Sequence, residues 1–370
     1  MNILIALLTA YILYVIQDIL YNRIWNKKLD ATVEFADSIC TEGDRSSIKE
    51  IISNKKLLPL PLLRVRFEVK KGIDFGEDGS NSVSDKNYRS DIYTIFPYQK
   101  ISREIEFICN NRGAYDISNI SLISNDLLFT RRLVENKSVS TRLIVYPKEV
   151  NADRLFAPYN RMLGMVLSNR FSYEDPFEFR GIRDYESYDP MSSINWKATA
   201  RTGSLKVNTH DYTASPQVCI LLDFDSDTQW KNVSLFEEQI RIAATMSRLF
   251  MSQGVPVSMI SNGRDFATDE SLVINSGCGD NHIQMIKESL ARLDLDKEML
   301  SFEGELERLD NTVNCQYLLI SSACSDSLQR KYKNISDRCE GSGWIVCYRS
   351  VEPAPILDYY KGSVCWEVSQ

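Results

Sequence analysis

The chain has 370 residues, more than one hydrophobic core usually serves, so its length predicts two soluble domains plus an anchor. A formal net charge of -7 and a pI near 5.2, without a basic run, argue against nucleic acid as the main partner. Nine cysteines without CxxC spacing predict reduced thiols in a reducing compartment. His210 and His282 are the only histidines, which argues against a Cys/His zinc site.

The N-terminus begins with an apolar run from Ile3 to Ile16 that reaches Tyr21 if Asp18 lies at the membrane interface. At that length it predicts a membrane anchor over residues 1–22, because a spanning helix needs about 20 apolar residues. The alternative is a buried or interfacial helix. Aromatic residues are placed to anchor the ends: Tyr11, Tyr14, Tyr21 and Trp25. A cleaved signal peptide fits poorly, because no small-x-small cleavage site follows the run.

The charges that flank this run predict its orientation. Arg23, Lys27 and Lys28 follow the run, and no basic residue precedes it. By the positive-inside rule, the sequence predicts a single-pass protein of the cell membrane with its C-terminal domains in the cytoplasm. The cysteine content agrees with that compartment.

Residues 31–150 show short segments of alternating polarity, such as Leu63 to Val69 and Ile101 to Phe107. Polar breaks at Gly72 to Ser84 and at Asn110-Asn111 separate them. Period-two alternation with regular turns predicts an antiparallel β-sandwich. Residues 151–175 then indicate a connector that is helical around Ala157 to Leu167.

Residues 176–370 alternate predicted strands with predicted helices. The apolar run Val218 to Phe224, broken only by Asp223, favours a strand that is covered on both faces. Apolar residues then recur at helical spacing: Phe236, Ile240, Ala243, Met246 and Phe250. Further strands are predicted at residues 257–260, 317–321 and 344–348, and further helices at 281–293 and 328–339. This alternation predicts βαβ units, a largely parallel sheet and helices on both faces.

A dense polar and aromatic segment precedes that domain. Its candidate functional residues are Gly181, Arg183, Tyr185, Asp189, Asn195, Trp196, Lys197 and Arg201. One interpretation is a structural clasp, in which Trp196 and Tyr185 are buried and Arg183 and Arg201 form two-point ion pairs with Asp184 or Asp189. The other interpretation is a surface that docks a partner.

This segment and the acidic strand after it resemble a bacterial family called domain of unknown function 58 (DUF58), in which GxReY…D…INWkxxART precedes a von Willebrand factor A-like domain. Upstream, Arg112-Gly113-Ala114-Tyr115, Leu143 to Pro147, and Asn54 with Leu58 to Pro61 are similar to the family's RGxY, VYP and N…lPlp segments. Residue types alone predict turns there, with Gly113 at positive φ. The resemblance implies a von Willebrand factor A-like (Rossmann-like) fold. It also implies a MoxR-type AAA+ ATPase as partner, in assembly or maturation of envelope-associated complexes.

Three carboxylates leave the first strand of this domain: Asp223, Asp225 and Asp227. Ligands of open α/β sheets bind at such strand ends. Domains of the von Willebrand factor A type hold a divalent metal there with D-x-S-x-S, but only Asp223 matches that pattern. Grouped carboxylates favour a hard cation such as Mg²⁺ or Mn²⁺. The alternative, which we favour, is a degenerate loop without metal.

The same strand also resembles the first motif of haloacid dehalogenase-type phosphatases, with Asp223 as nucleophile and Asp225 as acid. A metal-dependent phosphoester hydrolase is therefore an alternative function, although the later motifs of that family are missing. The sequence favours a non-catalytic adaptor that binds a protein partner. A third interpretation is a structural envelope component that binds through its β-sandwich.

Overall fold

The N-terminal apolar run forms helix α1 (Asn2–Ile24), which is long and apolar enough to cross a membrane. The computed structural model describes residues 2–76, 80–83, 86–170, 179–210, 217–225, 232–307, 309, 315–339 and 341–368. Two units are distinguished, residues 1–148 and 149–370. The nine cysteines, all within the described ranges, form no disulfide.

After α1, the described part of the first unit consists of strands. They are β1 (Leu29–Phe35), β2 (Ile39–Thr41), β3 (Arg45–Asn54), β4 (Leu60–Lys70), β5 (Ile73–Asp74), β6 (Ser80–Val83), β7 (Lys86–Ile95), β8 (Lys100–Cys109), β9 (Gly113–Asn125) and β10 (Arg132–Tyr146). One sheet has the order β1-β3-β8-β5, and the other has the order β2-β10-β9-β4-β7-β6. Their pairs are antiparallel, apart from the parallel pair of β2 and β10.

The alternating pattern in the sequence explains how these strands share one core. In β4, Leu63, Val65, Phe67 and Val69 are buried, while the residues between them are more exposed. Because side chains of a strand point alternately to opposite faces, this pattern turns one face inward. Inward residues of both sheets form a single hydrophobic cluster, which also includes Tyr21 of α1 and Trp25 directly after it.

The second unit begins with α2 (Ala152–Arg170). Its further helices are α3 (Trp196–Thr202), α4 (Val233–Ser252), α5 (Asp280–Ala291), α6 (Phe302–Glu307) and α7 (Asp326–Ser336). Its strands are β11 (Phe179–Asp184), β12 (Lys206–His210), β13 (Gln217–Leu222), β14 (Val257–Asp265), β15 (Ser271–Gly277), β16 (Leu293–Asp294), β17 (Cys315–Ser321), β18 (Ser342–Arg349) and β19 (Ser363–Val368).

The main sheet of this unit is mixed, in the order β15-β14-β13-β17-β18-β19 with β16 beside β14. The predicted parallel arrangement is present for β14, β13, β17 and β18, and β19 adds a further parallel strand. Strands β15 and β16 pair antiparallel with β14 and were not predicted. They lack the long apolar runs by which the other strands can be found in the sequence.

Both faces of the sheet are covered, which explains why its central strand is continuously apolar. On β13, Val218, Ile220 and Leu222 pack with residues of α2, α4 and α5, whereas Cys219 and Leu221 pack with residues of α6 and α7. The predicted apolar stripe of α4 is confirmed, because all five of its residues are buried. The segment predicted as a connector contributes Leu155, Tyr159, Met162 and Val166 of α2 to this core.

Candidate functional site

Residues 181–207, which we call the clasp segment, include parts of two paired strands and the connection between them. Strand β11 pairs antiparallel with β12, and between them lie a turn, a short 3-10 helix (Met191–Ser193) and α3. Two apolar residues of the segment, Ile194 and Val207, are buried, and their backbones pair in an isolated antiparallel bridge. This bridge joins the residue before Asn195 to β12.

An ion pair holds the turn of the clasp segment. The Arg183 guanidinium donates to both oxygens of Asp189, with Nη1 at 2.7 Å and Nη2 at 2.5 Å, which confirms the two-point pair. The backbone N–H of Glu186 also donates to Asp189, at 2.9 Å. These hydrogen bonds, the one from Arg183 first, keep the pKa of Asp189 below its ordinary value. Arg201, by contrast, makes no ion pair with a described residue, so the two-point pair expected for it is not formed.

Helix α3 is fixed at both ends and along one side. Asn195 caps its N-terminus by accepting from the N–H of Ala198 at 2.9 Å and donates to the Asn208 side chain on β12 at 2.6 Å. Thr199 accepts from the N–H of Lys206 at 3.0 Å. Gly203 ends the helix at φ 74°, a conformation that favours glycine. Hydrogen bonds of Asn195 and Thr199 therefore attach the helix to β12.

The prediction that Trp196 is buried is wrong, since 66% of its surface is exposed. Helix α3 contains no fully buried residue, and Asn195 and Thr199 make the contacts with β12. Trp196 follows the cap directly and points away, as do the exposed Lys197 and Arg201. Large apolar side chains are also exposed nearby in the clasp segment: Ile182, Tyr188 and Met191. Gly181 and Tyr185 are intermediate in exposure.

The acidic loop begins with Asp223, whose side chain is fully buried at the end of β13. One carboxylate oxygen accepts from the Ser321 hydroxyl at 2.9 Å, and the other accepts from the N–H of Asp225 at 2.8 Å. Gln239 is also buried, and its amide donates to the Asp223 carbonyl at 2.9 Å in the orientation that satisfies both of its ends. Asp223 therefore fixes strand ends and the loop to one another.

Asp225 joins the loop to a second strand and a helix. Its Oδ1 accepts from the side-chain amide of Asn262 at 2.9 Å, and its Oδ2 accepts from the N–H of Phe302, the first residue of α6, at 2.9 Å. Buried Asn262 also donates to the Leu300 carbonyl at 2.9 Å and accepts from the N–H of Phe224 at 3.0 Å. Asp227 lies outside the described residues.

These contacts limit what the acidic loop can do chemically. A catalytic nucleophile must be reachable by substrate, whereas Asp223 has no exposed surface. Within the described ranges, no three His, Cys, Asp or Glu side chains are grouped so as to hold a metal ion. Binding of Mg²⁺ or Mn²⁺ by Asp223 and Asp225, and the favoured loop without metal, both remain predictions.

Sequence reasoning missed Asn262 and Gln239, the buried amides that complete this network. Each lies in an element that was predicted mainly from its apolar residues, β14 and α4. A polar residue at a core position of such an element was the available signal, since buried amides require partners.

The RGxY residues have a structural role in the first unit. Gly113 adopts φ 150°, as its prediction at a positive φ requires. Tyr115 is buried, and its hydroxyl donates to the Asn111 carbonyl at 2.7 Å. Arg112 is buried as well. The three residues form a corner at the start of β9.

The clasp segment and most of the second unit are similar to a known protein family. Residues 181–347 match the model of the family described as "Protein of unknown function DUF58", just under half of the chain. An uncharacterized Bacillus subtilis protein, YeaD, is 21% identical over 229 residues, which are 60% of this chain and 53% of that protein. The chain thus spans about half the length of this curated relative.

Solved structures are similar only in part. The CARDB domain of a Pyrococcus furiosus protein has 16% identity and a TM-score of 0.22, over 32% of this chain and 94% of that one. A cohesin module of a Clostridium perfringens family 33 glycoside hydrolase has 8% identity and a TM-score of 0.22, over 30% and 96%. Similarities at these TM-scores carry no argument about fold or function.

Proposed function

We propose that this protein is a membrane-anchored, non-catalytic adaptor that docks a protein partner through its clasp segment. One observation carries the proposal: Trp196 is 66% exposed on a helix that is fixed at both ends. A tryptophan in this position contributes no core packing, whereas tryptophan and tyrosine dominate the binding energy of protein interfaces. Arg201 and Lys197 on the same short helix add charged contacts beside it.

The way in which Trp196 is held supports docking further. Binding costs conformational entropy when an interface must be ordered, and a preformed interface reduces that cost. The Asn195 cap, the Thr199 contact with β12 and the Arg183 to Asp189 pair order the clasp segment without a partner. The structural-clasp interpretation predicted such contacts around a buried Trp196. In the proposal, the same contacts hold Trp196 at the surface, where a partner can reach it.

The proposed partner is a MoxR-type AAA+ ATPase, and the proposed process is assembly or maturation of envelope-associated complexes. This assignment rests on the DUF58 resemblance, which the match over residues 181–347 supports. A non-catalytic role is supported by the acidic loop, because Asp223 and Asp225 are engaged in hydrogen bonds within the fold. The same hydrogen bonds weigh against a phosphoester hydrolase.

The proposed architecture is an N-terminal transmembrane helix, a β-sandwich and a von Willebrand factor A-like domain. The β-sandwich is supported by the two sheets that share one core in the first unit. The von Willebrand factor A-like domain is supported by the parallel central strands with helices on both faces. The apolar surface of α1 supports a single-pass anchor in the cell membrane. The basic residues that follow it, Arg23, Lys27 and Lys28, support C-terminal domains in the cytoplasm.

Co-purification after mild detergent extraction tests the docking proposal. Native protein should retain an AAA+ ATPase, and Trp196→Ala should lose it while melting at an unchanged temperature. Ile356→Ala is the matched control, because Ile356 is an 85% exposed apolar residue of the same unit outside the clasp segment. Equal ATPase recovery with native protein and Trp196→Ala would refute docking through the clasp segment.

A further inference from the structure

A second exposed apolar surface lies in the first unit, where the C-terminal part of α1 meets three loops. The loops are residues 55–59, 96–99 and 126–131, and with residues 22–28 we call them the α1 end. Large apolar side chains there are 48–75% exposed: Leu57, Phe96, Tyr98, Leu127, Leu128 and Phe129. Exposed apolar groups concentrated at one end of a unit mark an interaction surface.

Loop 126–131 is attached directly to α1. Gln17 donates from Nε2 to Oδ2 of Asp126 at 3.0 Å, and Arg131 pairs with Asp18 at 2.8 Å. Within the loop, the Thr130 hydroxyl and the N–H of Arg131 donate to the buried Asp126 carboxylate. Its polar atoms are thus used inside the loop and toward α1, which leaves residues 127–129 to face outward.

Loop 55–59 contacts the end of α1 directly, and loop 96–99 is connected to α1 through it. The Tyr21 hydroxyl donates to the Pro59 carbonyl at 2.8 Å, and Lys56 Nζ donates to the Trp25 carbonyl at 2.5 Å. Asn54 then links two loops, since its Nδ2 donates to the carbonyls of Leu58 and Phe96 at 2.9 and 3.1 Å. The three loops and the end of α1 therefore form one connected structure.

The length of α1 sets the depth at which this structure lies in a membrane. At about 1.5 Å per residue, Ile3 to Tyr21 spans about 27 Å, close to the roughly 30 Å of a hydrocarbon core. Gln17 and Asp18 then lie within about 6 Å of the end of that span. Loop 126–131 contacts α1 at these two residues, so its apolar tip lies at the lipid–water interface.

Charge at the α1 end complements a lipid surface. Exposed basic residues lie in or directly beside these segments: Arg23, Lys27, Lys28, Lys55, Lys100 and Arg132, in addition to Arg131, which pairs with Asp18. Within the α1 end, residues 22–28, 55–59, 96–99 and 126–131, the only acidic residue is Asp126, which is buried. In a chain of net charge -7 this is a local excess of positive charge, and such segments attract anionic headgroups.

We propose that the α1 end is a bilayer-docking surface. Its loops insert their apolar tips at the interface beside α1, and its basic residues bind anionic headgroups. The first unit then contacts the membrane surface in one fixed orientation. This inference rests on the proposed membrane anchor but is independent of docking by the clasp segment.

Fluorophore depth measurements in the full chain test the seating. Single cysteines replace Leu128 at the α1 end, Leu13 on the exposed part of α1, and Ile39 as control. Ile39 is 51% exposed against 57% for Leu128, and lies opposite Ile144 near the other end of β10. The exposed Cys278 and Cys365 are replaced by serine, and the protein without an introduced cysteine gives the background.

Each protein carries an environment-sensitive dye and is reconstituted in vesicles of phosphatidylcholine and phosphatidylglycerol. Nitroxide lipid should quench the dye at Leu128→Cys and Leu13→Cys several-fold more than at Ile39→Cys, and iodide in water should show the reverse order. Quenching by nitroxide lipid at position 13 but not at position 128 would overturn the docking surface while keeping the anchor. Iodide access at position 128 would then favour a protein as its occupant. Loss of lipid quenching at position 13 would refute the anchor itself.

Discussion

Replacing Asp225 with alanine tests whether the acidic loop is a structural joint. The Asp225 carboxylate accepts from Asn262 and from the N–H of Phe302, each at 2.9 Å. Phe302 begins α6, and the first N–H groups of a helix have no partner within the helix. Asp225→Ala leaves that N–H and the buried Asn262 amide without these acceptors.

The size of the effect follows from these two hydrogen bonds. A hydrogen bond to a charged group contributes about 1.5 to 3 kcal/mol, and Asp225 is only partly buried, which favours the lower values. We expect Asp225→Ala to lower the free energy of unfolding of the second unit by about 2 to 4 kcal/mol. For a unit of this size the melting temperature should fall by roughly 5 to 15 °C.

Thermal unfolding of the full chain in detergent measures this shift. Asp225→Asn should also destabilise, because one acceptor oxygen is replaced by an NH2 donor that faces an N–H group. Asp184→Ala is the surface control, since Asp184 is 75% exposed and its pair with Lys206 contributes less than about 1 kcal/mol. A shift for Asp225→Ala no larger than that of the control would refute the structural joint. If Mg²⁺ stabilised native protein but not Asp223→Ala, by about 2.7 kcal/mol at one hundred times the dissociation constant, the loop would be a metal site.

Three further predictions concern the first unit and the topology. Gly113→Ala should destabilise the first unit by about 1 to 3 kcal/mol, because φ 150° strains any other residue; an unchanged melting temperature would contradict this. Burial raises the pKa of Glu50 to about 7, so this carboxyl stabilises the fold below its unfolded pKa and the gain is lost as pH rises toward 7. The free energy of unfolding should therefore fall by about 3 kcal/mol between pH 4 and 8, since one pKa unit corresponds to about 1.36 kcal/mol. The melting temperature should fall with it over this range, and Glu50→Gln should remove this pH dependence. A reporter fused after Gln370 should be active only in the cytoplasm, and activity outside would reverse the predicted orientation.

The elements that could be predicted from sequence are those whose burial repeats with a regular period. The apolar positions of α4 and the alternation of β4 report directly which faces are buried. Strand β13 was found because burial on both faces makes it continuously apolar. Such patterns depend on neighbours within one element, so the sequence contains them.

The exposure of Trp196 could not be predicted, because it depends on which side of α3 contacts β12. That choice is made by Asn195 and Thr199, whose partners on β12 lie 13 and 7 residues away. The buried amide of Asn262 joins groups about 38 residues away on either side. The α1 end was missed for the same reason, since its basic residues are scattered along the chain and only the fold collects them.

Partner affinity of Trp196→Ala tests the central claim most directly. With the co-purified ATPase in hand, calorimetric titration of native protein and Trp196→Ala should show a loss of at least about 2 kcal/mol, roughly thirtyfold in dissociation constant, as expected for a hot-spot tryptophan. Melting temperatures of the two proteins should agree, because Trp196 is exposed. An unchanged dissociation constant, or a loss of affinity that accompanies a large fall in melting temperature, would contradict docking through the clasp segment.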